Sequence, residues 1–317
     1  MKRIVLYAIT TLLFSVIIEA RTVEPLPYGN FDSWVTRNIK ESKILGGNVR
    51  QCYAIGPEKT VDGDEPYSNR GTSPWASSNV MAKVMGITKV STSVEPAAHG
   101  SGKCARMYTK LERCRAAGII NIDVLVSGSI FLGELLEPVK STSNPYAKMD
   151  MGIPFGRRPV ALQYDYCLTI PPGNRIYSSG FGKKRTVKGR DAAEAFIYLQ
   201  RRWEDADGNI YAKRVGTGRE LIGKSSAGWV KGHTLPVHYG DITGESYYTD
   251  RMGLLDGDNA YYARNSRGKM VPVHEIGWDS ADATPTHMLV MFSSGSGEPY
   301  VGTPGMNFMV DNAALVY

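Results

Sequence analysis

Cysteine and histidine are scarce in this chain of 317 residues, with four of the first and five of the second. No pair of them has the spacing of a zinc ligand set. His233 and His238 lie five apart in a Gly/Pro-containing stretch, which does not amount to a metal motif. G-x-S-x-G is missing, and Ser293-Ser294-Gly295-Ser296-Gly297 reads as glycine-serine loop, so nucleophilic catalysis has no support. The Gly-rich stretches lack the following Lys-Ser/Thr of a phosphate cradle. Nucleic-acid motifs are absent too. The net charge is a mild +6, its basic residues are scattered, and the densest run, Lys183-Lys184-Arg185, reads as a solvated loop. After the first twenty residues no apolar run approaches the roughly 20 residues of a spanning helix. There is no repeat, no coiled coil and no long disordered tract.

The first twenty residues have their own order. Lys2 and Arg3 are basic, Ile4 to Ile18 is apolar apart from Thr10, Thr11 and Ser15, and Glu19-Ala20 closes the segment. That is signal-peptide architecture, with removal expected close to Ala20 and a secreted, periplasmic or cell-surface location; an uncleaved membrane anchor is the alternative, against which the short apolar stretch counts. No transmembrane segment is expected after cleavage. The first cysteine is Cys52, so a lipid anchor at the mature N-terminus is unsupported. Export permits disulfides, and Cys52, Cys104, Cys114 and Cys167 allow three pairings. Cys104 and Cys114 are candidates to face each other across a hairpin. The alternative is that all four are small buried side chains.

The rest of the chain reads as β. It holds 34 Gly, 17 Pro and 18 Tyr, the turn-rich and aromatic composition of an all-β protein. Alternating segments recur between turn signals. Ile120, Ile122 and Val124 share one face, and Ile130 to Leu136 follows. Val160 to Ile170 alternates Val160, Leu162, Tyr164, Tyr166 and Leu168. Met288 to Phe292 is a short apolar run, and Phe308 to Tyr317 closes the chain. Asp-Gly pairs at 62, 207 and 256 mark further turns. Asp191 to Trp203 fits a helical stripe through Ala192, Ala195, Phe196, Leu199 and Trp203. It also fits a strand face through Ala195, Ile197 and Leu199. The Tyr-rich stretch 247–267 reads as an insertion or long loop. A single β-sandwich domain over 21–317, with long loops and few short helices, is the expected architecture.

Three constellations bear on function. A glycosidase needs two carboxyl groups flanking the scissile bond, and Glu134, Asp165, Glu194 and Asp311 are candidates in apolar or aromatic surroundings. Sequence places no two of them together. Flat aromatic side chains hold the apolar faces of sugar rings, with polar neighbours on the hydroxyls. Loop-flanked Trp75, Trp229 and Trp278 are the better platform candidates, with Tyr247 and Tyr262 in the Tyr-rich stretch. Asn30-Phe31-Asp32 and Val310-Asp311-Asn312 lie near the two chain ends. If the terminal strands are neighbours, Asp32 and Asp311 converge on a structural Ca²⁺, which favours oxygen ligands. Turn-forming Asx residues are the alternative.

Several pieces in order resemble the putative carbohydrate metabolism domain of exported Bacteroidetes proteins. They are Asn30-Phe31-Asp32-Ser33-Trp34, Pro74-Trp75-Ala76-Ser77-Ser78-Asn79 and Gly152-Ile153-Pro154-Phe155-Gly156-Arg157-Arg158-Pro159. Tyr164-Asp165-Tyr166, Phe292-Ser293-Ser294 and the closing stretch Gly302 to Tyr317 follow. The resemblance implies a jelly-roll β-sandwich like carbohydrate-binding modules, and a strand at Ala195 to Leu199. It departs at Gly305-Met306-Asn307, where the family often has Gly-Ser, and in the cysteines and the 247–267 stretch. The first functional reading is a glycan-binding protein, taking a polysaccharide or oligosaccharide with no chemistry of its own. A glycoside hydrolase or lyase with an unrecognised carboxylate pair, and a structural or adhesion component of the cell surface, are the alternatives.

Overall fold

Alternation of apolar residues builds the first layer. In the computed structural model, which describes residues 21–84, 86–116, 120–140, 144–180 and 182–317, this layer is a seven-stranded sheet. Its strands run in the order Ile120–Ser127, Gly102–Ala116, Asn307–Val316, Ala161–Thr169, Val230–Pro236. Val23–Pro25 adds to Asn307–Val316, and Val94–His99 to Gly102–Ala116. Every pairing in it is antiparallel. Side chains two apart share a face, so Leu162, Tyr164 and Leu168 meet Phe308, Val310, Ala105 and Met107 in one core cluster. The expected signal sequence, residues 1–20, lies outside the described residues.

The second layer is a ten-stranded sheet whose ladder closes on itself. Ser129–Leu135 pairs with His287–Ser293, which pairs with Ala193–Glu204, then Ile210–Ile222, Met270–Trp278, Tyr262–Arg264 and Met149–Met151. The last pairs back with Ser129–Leu135. Two pairings are parallel, Ile210–Ile222 on Met270–Trp278 and Met149–Met151 on Tyr262–Arg264, so this sheet is mixed. The two layers pack as an all-β sandwich. Among the described residues the helical segments are four 3-10 turns, and no helix is long and apolar enough to cross a membrane.

The ambiguous segment is the strand Ala193–Glu204. Its odd residues Ala193, Ala195, Ile197 and Leu199 enter the core between the layers. Its even residues Phe196 and Tyr198 enter a second cluster inside the closed ladder, with Phe131, Met151, Tyr261, Leu289 and Met291. A strand covered on both faces loses its polar alternation, which is why a helical stripe could be drawn through it. The turn after it carries Gly208 at φ +87°, a conformation that glycine adopts without strain. The 247–267 stretch supplies the strand Tyr262–Arg264 and so helps to close the ladder.

Two ion pairs lie inside the closed ladder. Arg214 and Glu275 are both fully buried and joined by two hydrogen bonds, with the guanidinium 3.7 Å over the Tyr198 ring. Arg219 holds Glu194 and bonds the Tyr198 hydroxyl at 3.1 Å. Burial pushes the Glu194 carboxyl up although Arg219 beside it pulls the other way.

The proposed Cys104–Cys114 hairpin pairing is incorrect. Both lie on the one strand Gly102–Ala116, where ten residues of extended chain span about 33 Å. All four cysteines are free thiols, and burial pushes Cys52 and Cys104 up to about 12.

Candidate functional site

A cleft of about 640 Å³ opens at one end of the closed ladder. Strand register places its first two acidic groups. Glu134 on Ser129–Leu135 stands opposite Asp150 on Met149–Met151. Next to them Gly133 takes φ +141°, and a Cβ there would meet the Asp150 carbonyl oxygen at 2.0 Å. Glycine at 133 therefore lets the two strands close and fixes the spacing of the carboxylates.

Two guanidiniums bind this pair. Arg264 Nη2 donates to Glu134 Oε2 at 2.9 Å, and its backbone N–H to Asp150 Oδ1 at 3.0 Å. Arg70 Nη2 lies 3.2 Å from both Glu134 Oε2 and Asp150 Oδ2. Ser68 donates to the remaining Glu134 oxygen. The loop carrying Arg70 is pinned by Asn69, whose Nδ2 reaches the carbonyls of Ser73, Trp75 and Gly133 at 2.9 Å each.

The strand Ala193–Glu204 forms the other wall. Arg202 reaches back to Gln200 Oε1 at 2.6 Å and to the Met151 carbonyl at 2.9 Å. His287 stands in register with Gln200 and also lines the cleft. Burial, and then the Arg202 charge, push its imidazole down to about 4. Alternation turns the next residue, Trp203, outward at the cleft rim. Trp203 is 39% exposed. Its ring lies 6.0 Å from Tyr211 at an interplanar angle of 24°, and Tyr211 lies 5.7 Å from His274. The three stand in register on adjacent strands. The result is a row of rings running outward from the rim of the cleft.

The residues singled out from sequence lie elsewhere, with one exception. Glu134 is in the cleft. Trp75 is wholly buried, edge-on to Phe31 at 5.2 Å, with its Nε1 donating to the Pro27 carbonyl. It is a core residue, and the expectation of a platform there is corrected. Trp229 is half-buried and stacks on His99 at 3.7 Å. Trp278 is half-buried with the Arg214 guanidinium 5.8 Å from its ring. Tyr247 stacks on His238 at 4.0 Å, and the Tyr262 hydroxyl accepts from Asn144 Nδ2 at 2.9 Å. These four have four different partners and form no common platform. Arg70, Asp150, Arg202, Trp203 and Arg264 escaped sequence reasoning. Asp150, in the alternating Met149-Asp150-Met151, and Trp203, in an ambiguous segment, carried the visible signals.

The other acidic candidates are engaged by protein donors. Asp165 accepts from Gly232 N and Asn312 Nδ2. Asp32 accepts from Lys103 N and Asn30 Nδ2. Asp311 accepts from Asn312 N and faces His99 Nδ1. Burial pushes the Asp311 carboxyl up, with the His99 contact opposing. Calcium takes roughly six to eight oxygens. Among the described residues no group of three or more His, Cys, Asp or Glu is gathered for a metal. The Asp32 charge reaches Asp311 and adds to the rise of its carboxyl.

Comparison with known proteins places the molecule. No curated protein matches it in sequence. It is similar to a putative glycoside hydrolase from Bacteroides thetaiotaomicron, with 17% identity and a TM-score of 0.42 over 71% of this chain and 57% of that one. It is also similar to one from Bacteroides vulgatus, with 12% identity and a TM-score of 0.42 over 93% of this chain and 94% of the other. The chain spans 57% of the length of the first of these. Residues 42–221, more than half of the chain and including Arg70, Glu134, Asp150, Arg202 and Trp203, match the model of one family. The chain belongs to the putative carbohydrate metabolism domain family.

Proposed function

We propose that this protein is an exported glycan-binding protein, holding an oligosaccharide or a polysaccharide end in the cleft and across its aromatic rim. The observation that carries the reading is the exposed Trp203 ring, in register with Tyr211 and His274, at the edge of a cleft rich in hydrogen-bonding groups. Sugar rings stack on such rings by burying their C–H faces, at about 25 cal/mol per Å². Arg70 and His287 are within the cleft for the hydroxyls. The family supports a carbohydrate ligand.

Hydrolysis is the second reading, and Glu134 with Asp150 is the observation that favours it. A general acid needs a carboxyl oxygen free to carry a proton to the glycosidic oxygen. Here both Glu134 oxygens accept from Ser68, Arg70 and Arg264, and Asp150 is bound by Arg70 and the Arg264 backbone. Binding is therefore the better use of the pair, which braces the cleft wall. A broad glycan screen, run beside a reducing-sugar assay on every ligand that binds, tests this. Binding without sugar release is expected. Release that is lost in Glu134→Gln would establish the hydrolase reading instead, and a blank screen would remove both.

A further inference from the structure

Three guanidiniums line the cleft, and two of them meet carboxylates. Arg70 and Arg264 share Glu134 and Asp150. Arg202 makes no ion pair among the described residues. Its Nε and Nη1 donate to the neutral oxygens of Gln200 and Met151. Its Nη2 is closed off from water and has no acceptor. The negative charges that act on it are those of Glu275 and Asp150. Glu275 is already taken by Arg214, Gln200 and the Leu255 N–H. Asp150 is taken by Arg70 and Arg264.

A buried guanidinium with only neutral partners is costly, and proteins rarely keep one without a counter-charge. Burial lowers Arg202 to about 10, and its charge contributes to the depression of His287 beside it. Gly152, which also borders the cleft, packs directly against this group. A Cβ at 152 would lie 3.1 Å from Arg202 Nη2, and φ is +95° there.

We infer that the cleft takes an acidic sugar, whose carboxylate or sulfate ester supplies the anion that Arg202 lacks. This rests on the glycan-binding reading and narrows it to one chemical class. The planar guanidinium edge suits either anion through paired N–H donors. Trp203, one residue on, holds the adjoining ring at the rim.

Isothermal titration of the intact protein tests it with matched pairs of probes. Oligogalacturonate is compared with its carboxyl-reduced counterpart, and a chondroitin sulfate oligosaccharide with its desulfated form. An acidic member should bind about tenfold or more tighter than its neutral partner, the worth of one charge-assisted hydrogen bond, and the excess should shrink as salt is raised. A preference for the uronate pair identifies a carboxylate, and a preference confined to the sulfated pair identifies a sulfate ester. Arg202→Gln should abolish the preference while Arg202→Lys keeps part of it. The wild-type comparison stands alone if a variant fails to fold. Equal binding of acidic and neutral members overturns the inference and leaves the glycan reading intact. A preference that survives in folded Arg202→Gln also overturns it. Absence of binding to any of these probes and to a neutral glycan panel ends both.

Discussion

Trp203 and Tyr211 stand opposite each other across the hairpin of Ala193–Glu204 and Ile210–Ile222, ring centroids 6.0 Å apart. The pair lies beyond the part of the hairpin that the sandwich covers, which leaves Trp203 partly exposed while Trp75 is wholly buried. The two tryptophans should therefore answer differently to truncation. Trp203→Ala should weaken glycan binding strongly and move stability by no more than about 0.5 kcal/mol, as for an exposed side chain. Trp75→Ala should cost about 3–5 kcal/mol, because it opens a cavity against Phe31 and Phe292. Paired denaturant melts and binding titrations separate the roles. A Trp203→Ala variant that binds like the wild type removes the platform.

Much of the scaffold was legible because period-two alternation reports burial directly. Leu162, Tyr164 and Leu168 are in the core between the layers, as their spacing implied, while Tyr166 of the same set is only partly buried against it and Val160 is exposed. The alternation failed at Ala193–Glu204, where both faces are covered. The cleft was far less legible. Its carboxylates are sixteen residues apart in sequence and become neighbours only through the register of Glu134 on Asp150. Arg70, Arg202 and Arg264 arrive from a loop and two further strands. Nothing local marks an arginine whose partner comes from a distant strand. Loop flanks, used to choose among the tryptophans, misled at Trp75, since a short strand set between loops can still be buried.

Calcium should have no effect on stability. The oxygens of Asp32 and Asp311 are occupied by Lys103, Asn30, His99 and Asn312. An ion that binds the native state alone would raise the melting midpoint by mass action. Thermal melts in millimolar Ca²⁺ and in chelator are expected to coincide, and a higher midpoint with calcium would restore a site near the chain ends.

The Arg214–Glu275 pair should be sensitive to loss of one partner. Arg214→Met leaves the Glu275 carboxylate buried with only Gln200 and the Leu255 N–H as donors. A cost of about 3–5 kcal/mol is expected, as for other broken buried pairs. Adding Glu275→Met should recover part of it, since the lone charge is then gone. Urea melts of the single and double variants check this, and a double variant as weak as the sum of the two singles would show that the pair is not coupled.

His287 should make stability depend on pH between its unfolded value of 6.5 and its folded value of about 4. Burial, reinforced by Arg202, favours the neutral ring in the native state, so in this window the unfolded chain binds more protons. Stability then rises with pH. The contribution is present in full above pH 6.5 and is lost as pH falls towards 4. Its size is about 1–2 kcal/mol after allowance for the partial exposure of the ring. Glu194 and Asp311, both raised by burial, act in the opposite sense, because the native state takes up their protons first. The total profile therefore mixes signs, and the difference between wild type and His287→Gln isolates the histidine. That difference should be flat above pH 6.5 and should shift against the wild type as the pH is lowered to 4. A difference that stays constant across the window would mean that His287 titrates alike in both states, and that the Arg202 charge is not felt at the cleft wall.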